Sequence, residues 1–172
     1  MSSVVDCLEA RESLRVQPST FPNPEDEKSV MKSSLDLVQL LAEAKDFEFW
    51  LDGSGAYMAM KPAAGVPPLR DGLRAAVNEI ATFRGKKPLN VMLNILPPGT
   101  KVPEHTDTVP GLPERWHLPL ATNRKCIFWS EISGETHYPL GIWSGPVPYN
   151  KLHTVWNLGT TERVHLVVDL ES

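Results

Sequence analysis

Hydrophobic residues recur at helical spacing in the first half of the chain. A first helix is expected after Ser33 and Ser34, whose hydroxyl groups can accept hydrogen bonds from the backbone N–H groups of a first turn. A second helix is expected over residues 69–83, between Pro68 at its start and Gly85 after its end. Each has one apolar stripe, as a helix packed on a core requires. The apolar positions are Leu37, Leu40, Leu41 and Ala44 in the first helix, and Leu69, Leu73, Ala76, Val77, Ile80 and Phe83 in the second.

Strand patterns dominate the second half of the chain, and two short strands, 47–51 and 56–60, are also expected between the helices. Short, evenly spaced strands separated by turn residues are typical of β-sandwiches and barrels, and here the helices precede the strands rather than alternating with them. The sequence therefore predicts a mainly β fold with N-terminal helices and a double-stranded β-helix core of the jelly-roll, cupin-like type. The strands expected in the second half are 90–96, 115–121, 125–132, 137–143, 152–156 and 163–170.

The chain divides into a lead-in and one domain. Residues 1–32 are rich in proline, serine and acidic residues and poor in core-forming side chains, so we expect a loosely ordered N-terminal segment. Residues 33–172 have about the length of one ordinary domain. This domain consists of a helical preface, 33–87, and the jelly-roll core, 88–172.

Composition excludes several classes of protein. The formal net charge is −4, whereas a protein that binds the phosphate backbone of nucleic acids normally carries a basic face. No apolar run approaches the roughly 20 residues needed to span a bilayer, and residues 1–15 lack the basic end and apolar block of a signal peptide. The two cysteines, Cys7 and Cys126, are too few for a disulfide framework. We therefore expect a cytoplasmic protein with no membrane attachment and no general nucleic-acid binding.

Two candidate metal ligands, His105 and Asp107, lie in the segment PEHTD, residues 103–107. If this segment is extended, His105 and Asp107 project to the same face, where an imidazole and a carboxylate can bind one metal ion. His153, further along the chain, is the best candidate for a third ligand. Two histidines and one carboxylate on one face of an octahedral ion form the facial triad of non-haem Fe(II) oxygenases. The alternative for His105 and Asp107 is a capped turn after Pro103.

Arg163 follows His153 across a turn at residues 157–161, which indicates a hairpin whose second strand carries an arginine near the metal ligands. Alternate positions of that strand are apolar and form a buried face, which places Arg163 and His165 together on the other face. Arginine pairs with carboxylates through two parallel hydrogen bonds. The arrangement therefore suits a ligand that chelates the metal at one end and presents a carboxylate at the other. The alternative is a solvated charge on the strand.

Residues 90–169 resemble the aspartyl/asparaginyl β-hydroxylase family of Fe(II)- and 2-oxoglutarate-dependent oxygenases. The resemblance rests on three motifs in the family's order, PPGTKVPEHTD, RWHLPL and KLHTVWNLGTTERVHLVVDL, and it covers about the last half of the chain. It implies an enzyme, a 2-oxoglutarate-dependent dioxygenase that hydroxylates a C–H bond, and it makes residues 33–172 a single oxygenase domain. It also implies that the substrate is an amino acid or an amino-acid side chain.

The family's site residues can be carried over position by position. The resemblance implies that the catalytic residues His105, Asp107 and His153 bind Fe(II), and that further polar residues contact the cosubstrate 2-oxoglutarate. One of these, the histidine of RWHLPL, could on the residues alone equally be a metal ligand or support one. His137 and His165 are expected to have no ligand role. The residues implied to contact 2-oxoglutarate are Arg115, His117, Arg163 and Asn94.

The sequence leaves two other functions open. Gly99 and His105 resemble the first cupin motif, and His153 and Asn157 resemble the second, which would suit a metal-dependent isomerase or a dioxygenase that does not use 2-oxoglutarate. The arginines of the second and third motifs favour the oxygenase, because a cupin isomerase has no general need for them. The second alternative is a non-catalytic jelly-roll module that binds a ligand. For the enzyme we expect a small-molecule or peptide substrate, and the oligomeric state is open.

Overall fold

The computed structural model describes residues 29–45, 50–51, 57–62 and 69–172 of the chain. These residues form two helices, α1 (Leu37–Lys45) and α2 (Asp71–Arg84), and ten strands. The strands are β1 (Val30–Lys32), β2 (Trp50–Leu51), β3 (Tyr57–Pro62), β4 (Pro88–Leu96), β5 (Glu114–Ala121), β6 (Cys126–Ser130), β7 (Gly134–Thr136), β8 (Ile142–Ser144), β9 (His153–Asn157) and β10 (Arg163–Leu170).

The strands form two antiparallel sheets. The major sheet has the order β1-β8-β5-β10-β4-β3-β2, and the minor sheet has the order β7-β6-β9. Isolated bridges join Lys101 to Trp156 and His105 to His153, so the chain before β5 runs along the outer edge of β9. One cavity takes its walls from β4, β5 and β10 of the major sheet and from β6 and β9 of the minor sheet. This arrangement confirms the predicted double-stranded β-helix core with N-terminal helices.

Strand β10 lies between β5 and β4 in the major sheet, and all of its residues are buried. Its alternate side chains lie in two different environments, because successive residues of a strand point to opposite faces. One set joins the hydrophobic core that the sheet shares with α1 and α2, and the other set contains the polar residues that face the cavity side. The residues in the hydrophobic core are Val164, Leu166, Val168 and Leu170, together with Leu40, Ala44, Leu73, Ala76, Val77 and Ile80 of the helices.

The beginning of α1 differs from the sequence prediction. The side chain of Asp36 caps this helix, since its Oδ1 accepts hydrogen bonds from the backbone N–H groups of Val38 (2.9 Å) and Gln39 (3.4 Å). The predicted caps, Ser33 and Ser34, instead donate their hydroxyl hydrogens to the Glu79 carboxylate of α2, at 2.8 and 2.7 Å. Within the described ranges, no helix has the length and apolar character needed to cross a membrane.

The predicted strand over 137–143 is wrong. Strand β7 ends before it and β8 begins only at Ile142. Pro139 has no backbone N–H to donate, and Gly141 adopts a φ of 72°, so the intervening chain turns. The imidazole of His137 bonds to the backbone carbonyl of Cys126 at 3.0 Å, which ties this turn to β6.

The expected lead-in over 1–32 falls mostly outside the described residues, which begin at 29. Its last three residues, Val30–Lys32, form β1 and pair with β8 at the edge of the major sheet. The described parts of the early strands 47–51 and 56–60 lie in β2 and β3. Residues 47–49 and 56, the cysteine at position 7 and the proline at position 68 lie outside the described residues.

Candidate active site

The three predicted metal ligands lie together. The ligand atoms of His105, Asp107 and His153 are all within 4.8 Å of one another. The two histidines form a bridge in which each backbone N–H donates to the other residue's carbonyl at 2.9 Å. The backbone N–H of Asp107 donates to the carbonyl of Tyr149 at 3.1 Å, and one carboxylate oxygen, Oδ1, lies 3.4 Å from His105 Nε2. Backbone pairing therefore brings ligands from distant parts of the chain to one point.

Both imidazoles are oriented by their Nδ1 atoms. The Nδ1 of His105 lies 2.7 Å from the carbonyl of Pro103, and that of His153 lies 2.8 Å from the carbonyl of Lys151. Because a carbonyl only accepts, each Nδ1 carries a hydrogen, and Nε2 is the ring nitrogen that can bind a metal. A metal-bound histidine is held in this way in many proteins, with the second ring nitrogen fixed by an acceptor.

The charge state of this group fits a divalent cation. Burial lowers the pKa of His153, and the adjacent His105 lowers it further, so the His153 imidazole is neutral as a metal ligand must be. Two imidazoles and one carboxylate provide nitrogen and oxygen donors of the kind found in the facial triad of non-haem iron sites. The Asp107 carboxylate contacts side chains, His105 and Arg115, which does not fit the alternative of a capped turn after Pro103.

All seven predicted site residues line one cavity of about 300 Å³, a volume in the range of small-molecule pockets. The metal-binding group occupies part of its wall, and the polar residues of β4, β5 and β10 occupy another part. The rest of the lining is largely apolar. The predicted site residues are Asn94, His105, Asp107, Arg115, His117, His153 and Arg163, and the apolar residues are Met92, Val102, Val109, Phe128, Val147, Val155 and Val167.

Arg163 is a buried cation in this cavity, with a side chain from the first position of β10. Its guanidinium donates to Asn94 Oδ1 at 3.0 Å and lies 2.9 Å from His165 Nδ1. Among the residues that the structure describes, no carboxylate pairs with it. Burial lowers the pKa of Arg163 to about 10, so the group remains charged at neutral pH. A buried guanidinium without a carboxylate partner costs free energy, and this cost favours the binding of an anionic ligand group beside Arg163.

Arg115, by contrast, already has carboxylate partners. Its Nε and Nη2 donate to the two oxygens of Asp169 at 2.8 and 3.1 Å, and its Nη1 donates to Asp107 Oδ2 at 2.6 Å. Sequence reasoning missed Asp169. Strand alternation could have found it, because Asp169 lies on the same face of β10 as Arg163 and His165.

His117 and His165 form a buried, uncharged pair beside Arg163. Their Nδ1 atoms are 3.4 Å apart, and their rings meet edge to face with centroids separated by 5.6 Å. Burial, together with the charge of Arg163, lowers the pKa of both imidazoles well below the ordinary value. His117 lines the cavity, whereas the Nδ1 atom of His165 contacts the guanidinium of Arg163.

This pair makes the stability of the metal-free protein depend on pH. The unfolded chain takes up protons at these histidines near pH 6.5, whereas the folded protein does so only at much lower pH. Above about pH 6.5 these two histidines therefore do not reduce the free energy of unfolding. Below that pH, the free energy of unfolding falls by up to about 1.4 kcal/mol per pH unit for each histidine. Urea denaturation at about pH 7.5 and pH 5.5 measures this. We expect a smaller loss in His165→Gln than in the wild type; equal losses would contradict the assignment.

A family model described as aspartyl/asparaginyl β-hydroxylase matches residues 72–172, more than half of the chain. The chain belongs to the aspartyl/asparaginyl β-hydroxylase family. This result confirms the resemblance found in the sequence, and with it the prediction of an enzyme, a hydroxylase of the Fe(II)- and 2-oxoglutarate-dependent oxygenase class. The family match decides against the two alternatives, a cupin enzyme of another chemistry and a non-catalytic module.

Solved structures share the fold of this β-hydroxylase family member at low sequence identity. An oxidoreductase of the 2OG-Fe(II) oxygenase family from Burkholderia pseudomallei is 14% identical, with a TM-score of 0.60 over 84% of this chain and 85% of that one. A prolyl-4-hydroxylase from Pseudomonas putida is 13% identical, with a TM-score of 0.58 over 83% and 91%. The viral collagen prolyl hydroxylase of Paramecium bursaria Chlorella virus-1 is 13% identical, with a TM-score of 0.54 over 86% and 98%. No curated protein sequence matches the chain.

Proposed function

We propose that the protein hydroxylates a C–H bond of an amino acid or of an amino-acid side chain, with Fe(II) as its metal and 2-oxoglutarate as its cosubstrate. One observation carries the proposal: a two-histidine, one-carboxylate group and a buried arginine without a carboxylate partner among the described residues line the same cavity. A molecule that chelates a metal at one end and has a carboxylate at the other matches these two features.

In this proposal the imidazoles of His105 and His153 and the carboxylate of Asp107 would hold Fe(II). The bound Fe(II) and 2-oxoglutarate together supply the activation of dioxygen, which yields a hydroxylated product, succinate and carbon dioxide. The contribution of the chain is to fix the ligand atoms before the metal arrives. The two histidine–carbonyl bonds and the reciprocal backbone pairing of His105 with His153 do this.

Arg163 is the residue that we assign to the distal carboxylate of 2-oxoglutarate. Asn94 and His165 hold its guanidinium in place, and burial strengthens its interaction with an anion because water is excluded. His117 lies on the cavity wall with a neutral imidazole, which can hydrogen-bond to the same ligand. Arg115 is a weaker candidate for this role than the resemblance implied, because its guanidinium is bound to Asp107 and Asp169.

The cavity wall also limits the access of water to the reacting groups. Phe128 stacks on the His153 ring with centroids 5.4 Å apart, and valine side chains cover much of the remaining surface. Excluding water protects a strong oxidant from side reactions. Thr108 and Val109 follow the metal-binding segment and line the cavity, so we assign the loop 108–113 to the rim that receives a small-molecule or peptide substrate.

The test is succinate formation by the purified protein with Fe(II), 2-oxoglutarate and a panel of free amino acids and peptides. We expect one class of substrate to stimulate succinate formation and to gain the mass of one oxygen atom. A protein that binds Fe(II) but neither consumes 2-oxoglutarate nor modifies any member of a broad panel would contradict the proposal.

We further propose that residues 33–172 act as a single oxygenase domain in a reducing compartment, the cytoplasm. Cys126 is buried as a free thiol, and its Sγ lies 3.2 Å from Asn157 Oδ1, which suits a protein that keeps its thiols reduced.

A further inference from the structure

We propose that Asp169 is a positioning residue of the metal centre, although it is not a metal ligand. It holds Arg115 against Asp107 and offsets the positive charge of Arg115, so that Asp107 keeps the net negative charge that a divalent cation needs. This inference rests on the proposed function, in which Asp107 binds the metal.

The fold places Asp169 opposite Arg115. The two residues are direct partners in the antiparallel pairing of β10 with β5, where side chains on one face lie next to each other. Asp169 is only 1% exposed, and both of its carboxylate oxygens accept hydrogen bonds from Arg115. A two-point contact of this kind fixes the plane of the guanidinium as well as its position.

The rest of the guanidinium is directed at the metal-binding carboxylate. Its Nη1 donates to Asp107 Oδ2 at 2.6 Å, while Asp107 Oδ1 faces His105. The ring of Tyr149 lies 4.1 Å from the centre of the Arg115 guanidinium, and the Tyr149 hydroxyl donates to the backbone carbonyl of Pro113 at 2.7 Å. Arg115 is therefore held on three sides, and its position determines which oxygen of Asp107 is free for a metal.

Charge gives Asp169 a second role. Arg115 alone would cancel the charge of Asp107, and the site would then attract a divalent cation poorly. With Asp169 included, the two carboxylates and one guanidinium carry a net charge of −1. The guanidinium of an arginine is not deprotonated in proteins, so the cation persists between the two carboxylates.

Glu114 provides a matched comparison, because it is the neighbour of Arg115 on β5 and also pairs with cations. Its carboxylate accepts hydrogen bonds from Arg84 (2.6 Å), Lys86 (2.8 Å) and the indole of Trp116 (2.6 Å). These contacts join α2 to the sheet and do not reach the metal ligands. We therefore expect Glu114 to contribute to stability but not to metal binding. Asp169 should contribute to both, and a contribution to stability alone would contradict our inference.

The experiment is a Co(II) titration of the full chain without 2-oxoglutarate, followed by visible absorption, with folding checked by circular dichroism. We expect Asp169→Asn to weaken Co(II) binding by about 10- to 100-fold, the usual effect of losing a group that supports a ligand. Both Asp169→Asn and the control Glu114→Gln should lower the melting temperature. Only Asp169→Asn should change the Co(II) affinity, and an equal affinity in wild type and Asp169→Asn would overturn the inference.

A double variant separates the charge effect from a general loss of structure. Adding Arg115→Gln to Asp169→Asn removes the cation that cancels Asp107, so Co(II) should bind more tightly than to Asp169→Asn alone. Binding that is no tighter in the double variant would overturn the charge argument. If the wild-type protein itself binds no Co(II), the proposed metal centre fails, and this outcome is distinct from failure of the role of Asp169.

Discussion

Replacing His153 with alanine should abolish succinate formation. His153 supplies one of three ligand atoms that lie within 4.8 Å of one another, and its backbone also pairs with His105. Losing a group that merely supports a metal ligand costs roughly 10- to 100-fold in affinity or activity, so losing a ligand itself should cost more than about 100-fold. The measurements are the rate of succinate formation at saturating 2-oxoglutarate and a Co(II) titration. His153→Ala should form no succinate and should not bind Co(II) at the concentrations that saturate the wild type.

The control for this prediction is His137→Ala. His137 undergoes the same substitution, but its imidazole bonds to the carbonyl of Cys126 in β6, the central strand of the minor sheet, and does not line the cavity. We expect this variant to lose some stability while keeping metal binding and turnover. Normal turnover in His153→Ala would remove the metal-ligand assignment.

Two of the three candidate metal ligands could be found from the sequence for a simple geometrical reason. His105 and Asp107 belong to one extended segment, so the direction of their side chains follows from strand alternation alone. The hairpin expected between His153 and Arg163 is wrong, because β9 and β10 belong to different sheets and do not pair. Both side chains nevertheless line the same cavity, since the two sheets face each other across it. For Asn94 and His117, the family resemblance was needed, because nothing local distinguishes them from other polar residues on strands.

Strand alternation places Asp169 on the same face of β10 as Arg163, but no local pattern shows that Asp169 contacts Arg115. Its carboxylate partner, Asp169, is 54 residues away, and the register that brings them together is fixed only when β10 enters the sheet beside β5. The same limit applies to the start of α1. Ser33 is a good cap by residue type, but the carboxylate of Glu79, on the second helix, binds it in the folded protein.

Arg163→Met should raise the KM for 2-oxoglutarate by two to three orders of magnitude. The arginine is 2% exposed and lines the cavity, and no carboxylate of the described residues forms an ion pair with it. Removing one member of a buried, hydrogen-bonded charge pair costs about 2–5 kcal/mol, which is roughly 30- to 5,000-fold and includes the expected rise in KM. The measurement is the dependence of succinate formation on 2-oxoglutarate concentration, with Co(II) binding expected to be retained because Arg163 contacts none of the three metal-binding residues.

Replacing a buried residue usually lowers the stability of a protein, but we do not expect this of Arg163→Met. Without cosubstrate, the wild-type protein keeps a buried cation whose hydrogen-bond partners among the described residues, Asn94 and His165, are neutral, and this arrangement is costly. The melting temperature of the cosubstrate-free variant should therefore not fall, while the added stability that 2-oxoglutarate gives the Co(II)-loaded wild type should disappear. Arg84→Met is the matched control: it removes an arginine that pairs with Glu114, so it should lower the melting temperature and leave the KM unchanged. An unchanged KM in Arg163→Met would show that the cosubstrate carboxylate binds elsewhere.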